Sequence, residues 1–120
     1  MESFMRLKRS NNSLILDLIG EEINPVEFDV HLRSIKALKN FQKLYVNIEY
    51  LADINNDMIN KFLKMNAYLR DKIISFINVN PLQNAVLNMF NLDKKFQIYM
   101  NKADALEGKK PVVNRKFRVV

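Results

Sequence analysis

The 120-residue chain has no cysteine, one histidine, two glycines and three prolines. Without cysteine there is no disulfide, no thiolate zinc or iron–sulfur site and no cysteine nucleophile. His31 alone cannot build a two-histidine metal site or a histidine–histidine acid/base pair within one chain. Gly20 and Gly108 stand far apart, so no glycine-rich phosphate loop can form. These absences remove most familiar enzyme chemistries. What remains is 48% hydrophobic and 27% charged, the composition of a globular chain of one-domain size.

The net charge of +6 is unevenly spread. Residues 109–120 contain Lys109, Lys110, Arg115, Lys116 and Arg118 and no acid, so the stretch before them is close to neutral. Basicity therefore reads as a property of the tail, with no broad basic face in the body, and nucleic acid is not an expected partner. The division follows composition: a domain over 1–108 and a basic C-terminal tail over 109–120.

The first 20 residues carry Arg6, Lys8, Arg9 and Asp17 among short apolar runs, which is not a signal-peptide pattern. Ile73 to Leu92 has no charged residue and is long enough to span a bilayer. Its five asparagines, Gln83 and Pro81 would be costly in hydrocarbon, so it reads as a buried strand followed by a helix, with no membrane span. With no cysteine and no export signal, a cytoplasmic setting is expected.

Phe4–Lys8 alternates apolar and basic residues, Asn11-Asn12 marks a turn, and Leu14–Ile19 forms a second strand: a hairpin. Asn24-Pro25, with Glu27 in the first turn, opens a helix whose stripe is Phe28, Leu32, Ile35 and Leu38. Lys43–Tyr50 is β-rich. A helix follows Asp53–Asp57, with Met58, Ile59, Phe62, Met65 and Leu69 on one face. Ile73–Val79 is the most continuously apolar strand and is expected inside the sheet. Asn80-Pro81 opens a third helix with the stripe Leu82, Val86, Met89 and Phe90. Phe96–Met100 is a last strand, and Asn101 caps a short helix that Gly108 ends. The order β-β-α-β-α-β-α-β-α predicts an α/β fold with a mixed, mainly parallel sheet of about five strands and about four helices. Asparagine is abundant, at 16 residues, but dispersed, and reads as coding bias.

Three segments resemble the STAS family, named after sulphate transporters and anti-sigma factor antagonists. Leu14–Ile23 resembles the family's strand, glycine, acid and isoleucine entry to its first helix. Leu44–Ile48 followed by Ile54–Ile59 resembles the strand and loop that open the second helix. Ile74–Asn80, Leu87–Leu92 and Phe96–Tyr99 resemble the next strand, third helix and last strand. The resemblance spans about residues 3 to 107 and implies a divergent, stand-alone bacterial member. It implies a regulatory, non-enzymatic, protein-binding module without a cofactor, whose partner is a regulatory kinase or an ATPase subunit.

The departures from the pattern lie at one place. Asn56 falls where antagonist members carry the serine that a partner kinase phosphorylates, and an amide offers no hydroxyl. Asn55 replaces the preceding aspartate, Asp57 the second hydroxyl and Met58 the glycine. A phosphoserine brings about −1.5 to −2 charges; Asp57 supplies one fixed negative charge beside the same position, with Glu49 and Asp53 nearby. A simpler reading is that Asn56 or Asp57 caps the helix. The expected partner-binding residues are Asp53, Asn55, Asn56, Asp57, Lys61 and Lys64, with Asn60 and Tyr68 on the same helix. An accessory subunit of a membrane transport ATPase and a small-ligand sensor are the alternatives.

No catalytic or metal-binding residue is expected. His31 reads as a surface or boundary residue, Glu21-Glu22 as adjacent side chains that point apart, and Met58, Met65 and Met89 as packing residues. In the tail, alternation places Val113, Arg115, Phe117 and Val119 on one side, mostly apolar, and Val112, Asn114, Lys116, Arg118 and Val120 on the other, polar in its middle, the pattern of a half-buried strand. Arg115, Phe117 and Arg118 are expected to dock on a sheet edge or on a second subunit, which makes the tail a route to a homo-oligomer.

Overall fold

The computed structural model describes residues 4–112. The chain runs β1 (Phe4–Ser10), β2 (Ser13–Ile19), α1 (Pro25–Ala37), β3 (Lys43–Asn47), α2 (Asn56–Tyr68), β4 (Ile73–Ile77), α3 (Pro81–Met89), a 3-10 turn (Leu92–Lys94), β5 (Gln97–Ile98) and α4 (Lys102–Leu106). The five strands lie in sequence order in one sheet. β1 and β2 form the antiparallel hairpin, with Arg6 opposite Asp17, and β2 through β5 are parallel. The expected α/β architecture is the observed one.

Strand alternation divides the sheet into two faces. Leu14, Leu16 and Leu18 of β2, Leu44 and Val46 of β3, and Ile74 and Phe76 of β4 share one core with Phe28, Leu32 and Ile35 of α1 and with Met58, Ile59, Phe62 and Met65 of α2. Phe76 is its centre, with ring centroids 4.8 Å from both Phe62 and Phe96. On the other face, Ile15, Tyr45, Ile77 and Tyr99 pack under Ala105 of α4. Parallel order with one helix per crossover puts the starts of α1, α2 and α3 at one end of the sheet.

Three expectations change. β4 stops at Ile77, because Asn78 takes the left-handed conformation with φ 57°. β5 shrinks to two residues, because the Phe96 N–H bonds back to the Leu92 carbonyl at 2.9 Å and closes a turn. Of the stripe expected on α3 only Val86 packs on the core: Gln83 and Leu87 are buried, whereas Leu82 and Met89 are 74% and 70% exposed and Phe90 is exposed too. Met89 is therefore not a packing residue. Gln83, which takes the inward place, also closes a capping box: the Asn80 side chain accepts from the Gln83 N–H and Gln83 Oε1 accepts from the Asn80 N–H.

The first residues of the tail lie on the domain. The Val112 N–H donates to the Ile98 carbonyl at 2.8 Å, and the Tyr99 hydroxyl donates to the Lys109 carbonyl at 3.0 Å. Burial pushes the Tyr99 hydroxyl pKa up, helped by the neighbouring Tyr45. The tail positions Arg115, Phe117 and Arg118 lie outside the described residues.

Asp17 is 3% exposed in the middle of β2. Burial alone would raise its pKa. Hydrogen bonds from Asn47 at 2.9 Å and Arg6 at 3.1 Å, with the charges of Lys8 and Arg6, outweigh that and hold it below the ordinary 3.8. A carboxyl whose folded pKa is depressed adds stability that is present above the unfolded pKa and lost as pH falls through the folded one. Urea titrations should therefore show stability falling as pH drops below about 4, and the Asp17→Asn variant should show a flatter curve over that window. An unchanged slope in the variant would assign the acid sensitivity elsewhere.

Candidate functional site

The start of α2 is carried by a loop that every neighbouring element holds. Gly20, with φ 117°, donates to the Tyr50 carbonyl at 3.1 Å and accepts from the Ala52 N–H at 2.9 Å. That backbone conformation favours glycine, which explains why one of only two glycines stands there. Asn47 Oδ1 accepts the Glu49 N–H at 3.1 Å. From the far side, buried Gln83 donates through Nε2 to the Ile48 carbonyl at 2.9 Å and the Leu51 carbonyl at 3.4 Å. Gln83 thus caps α3 with its oxygen and clamps the loop with its nitrogen.

Asn55, not Asn56 or Asp57, caps α2: its side chain accepts from the Met58 N–H at 3.0 Å. Asn56 is the first helical residue and Asp57 the second, and both are exposed. In the run Asn-Asn-Asp each residue can cap a helix, so sequence alone does not choose among them. With Asn55 in that position, Asp57 is left to act on the helix dipole and on whatever approaches it.

Asp57, Lys61 and Lys64 meet in one groove of about 210 Å³ between α1 and α2, with Pro25, Asp29 and Asn60. Lys64 Nζ is 2.6 Å from Asp29 Oδ1, which ties the two helices across the groove. Farther along, Lys36 lies 4.5 Å over the Tyr68 ring and bonds its carbonyl at 3.3 Å. Asp53 is exposed on the loop ahead of the helix and outside this groove. The proposed residues therefore form two parts: an acidic lip of Asp53, Asn56 and Asp57, and a cationic groove wall of Lys61 and Lys64.

His31 Nδ1 lies 2.9 Å from the Glu27 carbonyl of its own helix. Among the described residues no three His, Asp or Glu side chains stand close enough to hold a metal ion. None of the described helices is long and apolar enough to cross a membrane; the uncharged run 73–92 divides into β4 and α3.

No family model and no curated protein sequence matches this chain. Solved structures do. An anti-sigma-factor antagonist (STAS) domain protein from Planctomyces limnophilus superposes with a TM-score of 0.72 at 13% identity, over 87% of this chain and 96% of that one. An anti-sigma factor antagonist from Mycobacterium paratuberculosis gives 0.71 at 15%, over 89% and 93%. The Bacillus cell fate determinant SpoIIAA in its phosphorylated form gives 0.65 at 14%, over 88% and 98%. The chain has the STAS fold.

Gln83 was not visible as a site residue, although Asn80 and Gln83 have capping-box spacing in the sequence. Replacing Gln83 with Ala removes the donor of the Leu51 carbonyl and leaves the Ile48 carbonyl only the Leu51 N–H at 3.2 Å, at a cost of about 1–3 kcal/mol. Chemical denaturation should register that loss. Hydrogen exchange should show faster exchange at the Leu51 and Ala52 amides, with the β1–β2 amides unchanged. Equal loosening of both regions would mean that Gln83 supports the core and not the loop.

Proposed function

We propose that the chain is a non-enzymatic regulatory module that binds a cytoplasmic protein partner through the start of α2, in a state fixed by its sequence instead of by phosphorylation. The observation that carries this is the placement of Asp57. It is exposed at the second position of a 13-residue helix, beside the amide of Asn56, on a loop clamped by Gly20 and Gln83. The capping duty belongs to Asn55, so the Asp57 charge is available for contact. Residues 54–59 contain no hydroxyl.

The STAS fold supports the reading. SpoIIAA, which shares it, has been solved in both phosphorylated and unphosphorylated forms, so the fold accommodates that modification in a neighbour. Here the loop keeps a standing negative charge from Asp57, with Glu49 and Asp53 close in sequence, where a phosphoserine would add about −1.5 to −2. A regulatory kinase or an ATPase subunit with a basic recess would match that lip, and an acidic group beside the recess would match Lys61 one turn down, Lys64 being held by Asp29.

Affinity capture from the native cell, followed by binding measurements with the captured protein, tests the proposal. Asp57→Ala and Asp57→Asn should each weaken binding by tenfold or more, while stability falls by no more than about 1 kcal/mol. Full affinity in both variants would remove the lip from the interface. Full affinity in Asp57→Asn alone would show that polarity suffices and that the fixed charge is not the determinant. Capture of a membrane transport ATPase would select the accessory-subunit role.

A further inference from the structure

The fold gathers charge that the sequence scatters. At the end of the sheet where the parallel strands begin, Lys39, Lys43, Arg70, Lys72, Lys94 and Lys95 face only Asp71 and Asp93 among the described residues of those turns, an excess of about four positive charges. Arg9 and Lys36 add to it, their head groups bonding the carbonyls of Lys39, Asn40 and Tyr68. At the opposite end, Glu21, Glu22, Glu27, Glu49, Asp53 and Asp57 are set against Lys61 and Lys102. The expectation that the body has no basic face is therefore corrected: the near-neutral body is a pair of opposed poles. Helix dipoles explain part of this, since α1, α2 and α3 all start at the acidic end. Three half-charges account for only about 1.5 at each pole.

The basic pole also has a shaped receptor. A groove of about 340 Å³ has Ile73, Pro111 and Val112 as apolar lining and Lys72, Lys94 and Lys95 as cations, with Asp93 beside them. Ile73 is 46% exposed there. Lys72 is fixed by a 2.8 Å bond to the Phe41 carbonyl and sits 4.4 Å over that ring, so Lys94 and Lys95 are the exposed cations of the set. By charge the tail sequence, with Arg115, Lys116 and Arg118, is a poor match for a groove of the same sign. The acidic pole holds a better one. Tyr50 is 60% exposed on the tip of the clamped loop, between Glu49 and Asp53. Its main chain is held by the bond from Gly20.

We propose that the basic groove of one copy receives the Glu49–Asp53 loop of a second copy, with the Tyr50 ring on Ile73 and Val112 and the flanking carboxylates on Lys94 and Lys95. An aromatic anchor inside a ring of complementary charge is the usual construction of a binding hot spot. The contact is head to tail, so each added copy leaves one groove and one loop open. It rests on the reading of this loop as the functional surface: association covers the lip beside Asp57 and competes with the partner there. A nucleic acid or an anionic membrane would use the basic pole alone and leave Tyr50 and the acidic pole idle.

Sedimentation velocity of the full chain at low and high salt tests it. The wild type should associate with rising concentration at low salt and dissociate at high salt. Tyr50→Ala, which keeps the groove, and the double variant Lys94→Glu/Lys95→Glu, which keeps the loop, should each weaken association at least tenfold. Mixed together, the two variants should form a one-to-one dimer that goes no further, because one intact loop meets one intact groove. Circular dichroism of each variant confirms the fold before mixing. A monomeric wild type at low salt overturns the proposal, as does association that survives Tyr50→Ala, or a mixture that stays monomeric. Monomers that instead bind anionic vesicles or duplex DNA through Lys94 and Lys95 would reassign the groove to a polyanion and equally overturn it. Partner capture reports separately: loss of self-association with capture intact refutes this contact alone, and loss of capture with self-association intact refutes only the partner reading.

Discussion

A buried carboxylate cannot stand alone in a sheet. Asp17 sits in the second strand with 3% exposure, and the surrounding structure is arranged to satisfy it. Arg6 and Lys8 approach from β1, the former at 3.0 Å, and Asn47 donates from β3. Asn47 then accepts from Asn78 at 3.1 Å, and Asn78 accepts from the Lys102 N–H at 3.0 Å. One chain of polar contacts thus crosses from the first strand to the last helix. Its members depend on each other, because a half-satisfied buried network costs more than an apolar core. The same Asn47 oxygen fixes the Glu49 N–H, so the loop leading to α2 takes its starting position from the network.

Asparagine does much of the work that glycine and serine do elsewhere. Asn24, Asn55, Asn80 and Asn101 cap the four α-helices through their side chains. Asn11, Asn40, Asn78 and Asn91 are the non-glycine residues with positive φ among those described. Asparagine tolerates the left-handed conformation better than other side-chain-bearing residues, so a chain with two glycines can still turn. Dispersed asparagine, which reads as coding bias in the sequence, has backbone tasks at these eight positions.

How much could be read beforehand follows from how local each cause is. Asn24-Pro25 and Asn80-Pro81 announce their helices because cap and first turn are adjacent in the chain. The strands of the core announce themselves by alternation or by continuous apolar character. The orientation of α3 could not be read, since Leu82, Val86, Met89 and Phe90 make a plausible stripe and the bonds that override it run from Gln83 to carbonyls more than thirty residues earlier. The acidic lip was legible as a position, because the resemblance to STAS sequences places it. Its cap was not, because three consecutive residues compete for one N–H. The poles were invisible for another reason: turns distant in sequence come together only when the crossovers stack in order.

The strand order leaves two outer ladders. β1 carries Arg6, Lys8 and Arg9 along one of them, and on the other β5 is two residues long, with Val112 already bonded to it. Charged side chains on the first and brevity on the second both discourage another strand from adding to the sheet. The arginine and lysine that neutralise Asp17 therefore have a second effect outside the molecule. On that edge they oppose growth of the sheet by strand pairing.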